Sequence, residues 1–253
     1  MAGLFEAMNP QTSNSMEKSS VRTGLSLAKI TNIKDPKNLG RVKCAYITSD
    51  KDAGETGWIF CLTMFGGNGY GACFHPNVGD VVALAYENGD IHRPFVIGSL
   101  WAGNSKPPVS VKDGKNEEYQ FITPNKSFVD FIDKQGKEKI TVSTPKNRQV
   151  VLDDEKQEMT ISDGKTSLKI SEKNGTTELK CDKKLTIKVG TGVTIECDGT
   201  SGAVKIKANK EINISAAQIS EKASGTLEMS GNGSATLKSS GVLTVKGSMT
   251  KIN

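Results

Sequence analysis

The last 122 residues contain no aromatic side chain: all fourteen Phe, Trp and Tyr lie at or before Phe131. Prolines stop at Pro145. A core of ordinary width takes large aromatic side chains, and ladder strands exclude proline. The two halves of the chain are therefore built on different plans. Histidine is nearly absent as well. His75 and His92 sit near prolines in turn-like stretches, and no HxxxH, CxxC or His-x-His pair exists. No metal site and no cofactor is expected. The five cysteines, Cys44, Cys61, Cys73, Cys181 and Cys197, make an odd count with no CxxC, which argues against a disulfide framework and for folding in a reducing compartment.

No run approaches the roughly 20 apolar residues that a membrane-spanning helix needs. The N-terminal "MAGLFEAMNPQTSNSMEKSS" lacks the basic start and apolar stretch of a secretory signal. Residues 1–24 read as a flexible polar tail, on a chain assembled in the cytoplasm without a signal peptide. A net charge of +5, with Lys and Glu interspersed, is too small for a nucleic-acid groove.

What is present is strand pattern. Residues 25–105 read as a small β domain. "LSLAKITNI" alternates, "LGRVKCAYI" follows the turn-like "KDPKN", "GWIFCLTMF" adds a third strand, and "DVVALAYENGDIHRPFVIGSL" holds two more. Asn88-Gly89 between apolar runs predicts a type I′ hairpin. About five short strands without a helical pattern predict a small closed barrel of the OB type. Trp58, Phe60, Phe65 and Tyr70 could stack on bases, but Trp58 and Phe60 alternate with Ile59 and Cys61, so one set is core. "GGNGYG" (66–71) lacks the GK[ST] ending of a phosphate loop. Nucleic acid is not an expected partner.

The ordered elements Gly40-Arg41-Val42, Pro76 through Val81 ("PNVGDV"), Gly89-Asp90, Pro94 and Gly98-Ser99-Leu100 resemble the OB domain of phage baseplate assembly protein V and of the VgrG spike of type VI secretion. "FVDFIDKQGKEKITVSTPKNRQVVLDDEKQEMTISDG" is similar to the neck that leads into the spike in those families, and residues 106–150 are assigned as linker and neck. The resemblance implies a structural central spike of a contractile injection particle (phage tail, tailocin or extracellular injection system). It also implies a baseplate hub protein at the barrel and a PAAR-like tip protein at the far end. Few residues precede the barrel, so the hub is expected as a separate chain, unlike VgrG proteins.

Independently of any family, residues 177–248 divide into nine octads, from "TELKCDKK" and "LTIKVGTG" to "GVLTVKGS", before "MTKIN". Apolar residues recur at the third and fifth positions: Leu179/Cys181, Ile187/Val189, Ile195/Cys197, Leu227/Met229, Ala235/Leu237 and Leu243/Val245. Val204/Ile206 and Ile212/Ile214 slip by one, and Ile219 rejoins the frame. Leu152, Ile161 and Ile170 recur at nine, a looser version of the pattern. Alternation means strands with one buried face, but one short side per rung encloses nothing. An aliphatic side chain left in water forgoes ~1.5–3 kcal/mol. Three copies about a threefold axis would enclose that face. Residues 151–253 are accordingly expected to form a homotrimeric intertwined β-helix, each strand pairing with strands of neighbouring copies and the apolar pairs lining the shaft. Met249, Lys251, Ile252 and Asn253 are the expected contact with the tip protein that the resemblance implies, and the resemblance likewise implies the target cell envelope as what such a spike would meet.

No enzyme is expected. "LDDE" (152–155) is the densest acidic cluster and reads as a solvated turn. The stretch between Trp101 and Phe128 is too short for a lysozyme-sized insert. The alternatives are a β-helical tailspike depolymerase, against which stands a rod without aromatics to bind sugar, and an OB-fold nucleic-acid binder.

Overall fold

The computed structural model describes residues 24–48, 54–111 and 113–252. The expected tail, residues 1–24, lies outside these apart from Gly24. Among the described residues the regular structure is strand, with one short 3-10 turn. The chain divides into two compact units between Leu179 and Lys180.

In the first unit, β1 (Ser26–Asn32) and β2 (Lys43–Tyr46) are followed by the very short β3 (Gly66–Gly67) and β4 (Tyr70–Gly71), then β5 (Val81–Tyr86) and β6 (Pro94–Leu100). Four of these form an antiparallel sheet in the order β2-β1-β5-β6. Residues 55–61 close it. They bridge β2 antiparallel at Ala45↔Glu55, with Val42↔Ile59 just ahead of that strand, and β6 in parallel at Cys61↔Val96. Val42 and Ile59 exchange both backbone bonds at 2.9 Å, and Leu62 N–H donates to Val96 at 2.7 Å. The result is a closed five-stave barrel. Its core is Ala28, Ile30, Val42, Cys44, Ile59, Val82, Leu84 and Val96, with Tyr46 and Cys61 packed against it. Ile59 is therefore core while Phe60 points outward.

The Asn88-Gly89 turn forms, but as part of a longer loop. Asn88 (φ 52) and Gly89 (φ 78) take the left-handed backbone a type I′ turn needs, and Asp90 N–H closes it on Glu87 O at 3.0 Å. A second turn follows, Arg93 N–H to Asp90 O at 3.0 Å, so pairing resumes only at Tyr86↔Pro94.

Beyond the barrel the chain folds back and forth as β7 (Glu118–Ile122), β8 (Phe128–Ile132), β9 (Lys139–Ser143), β10 (Gln149–Asp153), β11 (Glu158–Ser162), β12 (Ser167–Ser171) and β13 (Thr176–Lys180). These make one seven-stranded sheet in strict sequence order. The nine-residue spacing of Leu152, Ile161 and Ile170 is a five-residue strand plus a four-residue turn. Left-handed residues Gln157 (φ 55), Gly164 (φ 89) and Gly175 (φ 61) make those reversals possible. β10 spans residue 150, so this sheet runs without a break from the expected neck into the expected spike.

In the second unit β14 (Lys184–Val189), β15 (Val193–Asp198) and β16 (Ala203–Ala208) form a three-stranded sheet in sequence order. Here the pairing differs from the sequence-based expectation. These octad strands pair antiparallel with one another within the chain. Gly190 (φ 55) and Gly202 (φ 66) turn the chain back; they reverse it rather than hand it over a corner. Residues 209–252 carry the same alternation but no strand, and all are exposed.

Candidate functional site

The barrel motifs are structural. Asp35, its side chain only 3% exposed, takes a two-pronged contact from Arg41: Nη2 to Oδ1 at 2.6 Å and Nε to Oδ2 at 3.0 Å. The backbone N–H groups of Lys37, Leu39 and Arg41 also donate to it. That guanidinium, with the three amides and against the opposing effect of burial, holds the Asp35 carboxyl far below the usual carboxylate range. Gly40 sits at φ +68, and a Cβ there would stand 2.7 Å from His75 Cε1. Gly-Arg-Val is thus a loop clamp. In the Pro76–Val81 turn, Asp80 accepts from Asn77 N–H at 2.7 Å, and Gly79 N–H and Asp80 O bond Ile30 at 2.9 Å each, aligning β5 against β1. Burial, the largest cause, pushes the Cys44 thiol up to about 11 and also raises that of Cys61. Lys43 Nζ lies 5.6 Å from the Trp58 ring centre, so that ring has a lysine partner from its own barrel.

Two of the sheets present open apolar faces. Directly opposed residues share a face in an antiparallel sheet. Across β7–β12 the register sets one row Tyr119–Phe131–Ile140–Leu152–Met159–Ile170 and a second Phe121–Val129–Val142–Val150–Ile161–Leu168. Ten of these twelve side chains are exposed, from Phe131 at 36% to Phe121 at 61%. A shallow hollow on this face is lined by Tyr119, Phe131, Ile140 and Leu152 and rimmed by Asp133, Glu138 and Asp154. Only Leu152, Ile161 and Ile170 stood out in sequence. The others were findable from the apolar residues at the second and fourth place of each five-residue strand.

The second unit repeats the design. Ile187 opposes Ile195, which opposes Ile206; Leu185, Cys197 and Val204 form a second row; Val189, Val193 and Ala208 a third. The structure therefore brings together Ile187, Val189, Ile195, Cys197, Val204 and Ile206 on one face, and adds Leu185 and Val193, which the octad pairs missed. Strict alternation through "LTIKV" and "VTIEC" was the signal for them. On the opposite face Lys184 pairs with Glu196 and Asp198 at 3.3 Å each, and Lys205 lies 3.8 Å from Glu196. These contacts raise the Lys184 pKa and, with backbone N–H bonds from Ser201 and Thr200, lower that of Asp198. One face is closed by charge pairs; the apolar one is open.

Leu179 lies exposed on β13 and Cys181 is half-buried just after it. Ile212, Ile214, Ile219, Leu227, Met229, Leu237, Leu243 and Val245 are more than half exposed and belong to no strand; Ala235 is exposed too. Met249, Lys251 and Ile252 are exposed; Asn253 lies outside the described residues. Among the described residues no three His, Cys, Asp or Glu side chains cluster as metal ligands would, and no helix is long and apolar enough to cross a membrane.

A five-stave barrel closed by one parallel contact, with an excursion between its third and fourth staves, is an OB fold. Residues 26–101 match the family described as the type VI secretion system/phage-baseplate injector OB domain. Over that stretch the resemblance to the baseplate spike family holds, and the barrel is a baseplate-type structural domain. No curated protein matches the chain.

Proposed function

We propose that this protein is the homotrimeric central spike of a contractile injection particle, a mechanical rather than catalytic component. In this reading the barrel seats on a hub protein, the β rod points toward the target envelope, and Met249–Asn253 meet a PAAR-like tip protein. Sheath contraction would then drive the rod through the envelope, its stiffness coming from backbone ladders and its persistence from unfolding that requires three chains to separate.

The observation that carries this is surface. Ten of the twelve apolar side chains on the β7–β12 sheet are exposed, the apolar face of β14–β16 is open, and the aliphatic residues of 209–252 are exposed throughout. Residues that alternate yet form no strand in one chain are what is expected where the backbone partners belong to other chains. Identical copies supply the same alternation, and a threefold arrangement encloses each copy's face with two others. The baseplate-type barrel supports placing the assembly in an injection particle.

Native mass measurement tests the reading: a species of three times 27.1 kDa is expected. A folded monomer at micromolar concentration would refute it.

A further inference from the structure

Between the third barrel stave and β5 the chain runs out into an arm, residues 62–74, "LTMFGGNGYGACF", without a single charged residue. Leu62, Met64, Phe65, Tyr70 and Phe74 are each between 62% and 78% exposed. This is not a slack loop. β3 and β4 pair Gly66↔Gly71 and Gly67↔Tyr70, Ala72 N–H donates to Phe65 O at 3.1 Å, and the Thr63 hydroxyl donates to the Ala72 carbonyl. The glycines are required by the packing of the arm itself. A Cβ on Gly67 would stand 2.3 Å from the Tyr70 ring, and one on Gly71, at φ +144, 2.7 Å from Phe65 O. The Tyr70 ring is therefore held against backbone while most of its surface stays outward. Aromatic side chains already fixed in place lose little freedom on association, which is the property of interface anchors.

The arm also has a direction. Phe74 stacks on Phe121, ring centres 6.2 Å apart and planes 19° from parallel. Phe121 begins the apolar row that crosses the β7–β12 sheet to Leu168. Arm and sheet face are thus one continuous apolar tract, uncharged on the arm and aliphatic or aromatic across the sheet. A partner that covers the row reaches the arm in the same event. Ten side chains of the two apolar rows and five on the arm are exposed together, an apolar surface that large being the mark of an interaction face.

We infer that the arm is an inter-copy clasp: Phe65 and Tyr70 of one copy pack against the open apolar face of the β7–β12 sheet in a neighbouring copy. The inference rests on the trimeric reading above and extends the contact between copies from the rod up to the barrel.

The test places the photo-crosslinking residue p-benzoylphenylalanine at position 65, and separately at position 70, of the full-length chain. Irradiation of the purified assembly is expected to give covalently joined chains on a denaturing gel, with adducts mapping to residues 119–170 of the second chain. Ile161→Asp in an acceptor chain should cut that yield at least tenfold. An assembly of three-chain mass with no inter-chain product from either position would overturn the clasp and leave the trimer standing. Joined products that form only after a different protein is added would overturn it as well. A monomeric native mass would remove both.

Discussion

Asp35 and Arg41 show how a short motif carries a fold. One carboxylate, nearly out of water, collects a guanidinium and three backbone amides, so the 35–41 loop has one geometry. Because its pKa is depressed in the folded state, Asp35 contributes stability above its unfolded pKa of about 3.9, and that contribution is lost as the pH falls from there toward the folded value. Asp35→Asn is therefore expected to lower barrel melting at neutral pH and to flatten its dependence below pH ~4; calorimetry across pH 2–7 reads both, and equal slopes for variant and parent would discount the clamp. Gly40→Ala puts a side chain at a left-handed position and into His75, and a cost of about 1–3 kcal/mol is expected in urea unfolding. Gly40 and Arg41 were legible as a motif, Asp35 only as part of the turn-like "KDPKN". That the motif is a clamp rather than a contact for a partner was not, because His75 and the loop amides meet them only in three dimensions.

At the scale of elements, alternation identified the strands and which face of each is apolar, but not which strand lies beside which. Eight residues hold a strand and a corner, and equally a strand and a reversal. The same octads thus fit an inter-chain rung or an in-chain hairpin. Gly190 and Gly202, in the left-handed region, reverse the chain between β14, β15 and β16, which pair as hairpins. The chemistry of the two faces predicts opposite responses. Ile195→Asp, on the central strand of the apolar face, would in the proposed trimer leave a charge without a counter-ion in a covered site, at about 3–5 kcal/mol. Loss of the three-chain mass and of heat resistance is expected. Glu196→Gln, one residue along on the charge-paired face, touches only partly exposed ion pairs of small worth. It should melt close to the parent protein. Similar behaviour of the two variants would contradict the assignment of faces.

At the scale of the molecule the protein is a closed barrel followed by two one-sided sheets and a stretch of uncompleted alternation. The proposal that three copies complete it makes a further prediction in that last stretch. Leu227→Asp lies where one chain forms no strand, so a monomer would not register the change. In the proposed trimer it sets three like charges on the axis, and native mass should show smaller species. An unchanged three-chain mass would place Leu227 outside the shared core. Composition and periodicity alone determined that the chain is all β, that it has two building plans, that the first is an OB barrel, and that one face of the second is apolar. Each of these depends on the order of apolar, small and turn-forming residues along the chain, which folding does not alter. Only the tertiary structure decided that one seven-stranded meander runs from the expected neck into the expected spike, that β14–β16 pair with one another, and that a glycine-braced aromatic arm stands beside the apolar face. Those depend on hydrogen-bond register and on contacts such as Phe74 against Phe121, 47 residues apart by their numbers, which no local pattern encodes.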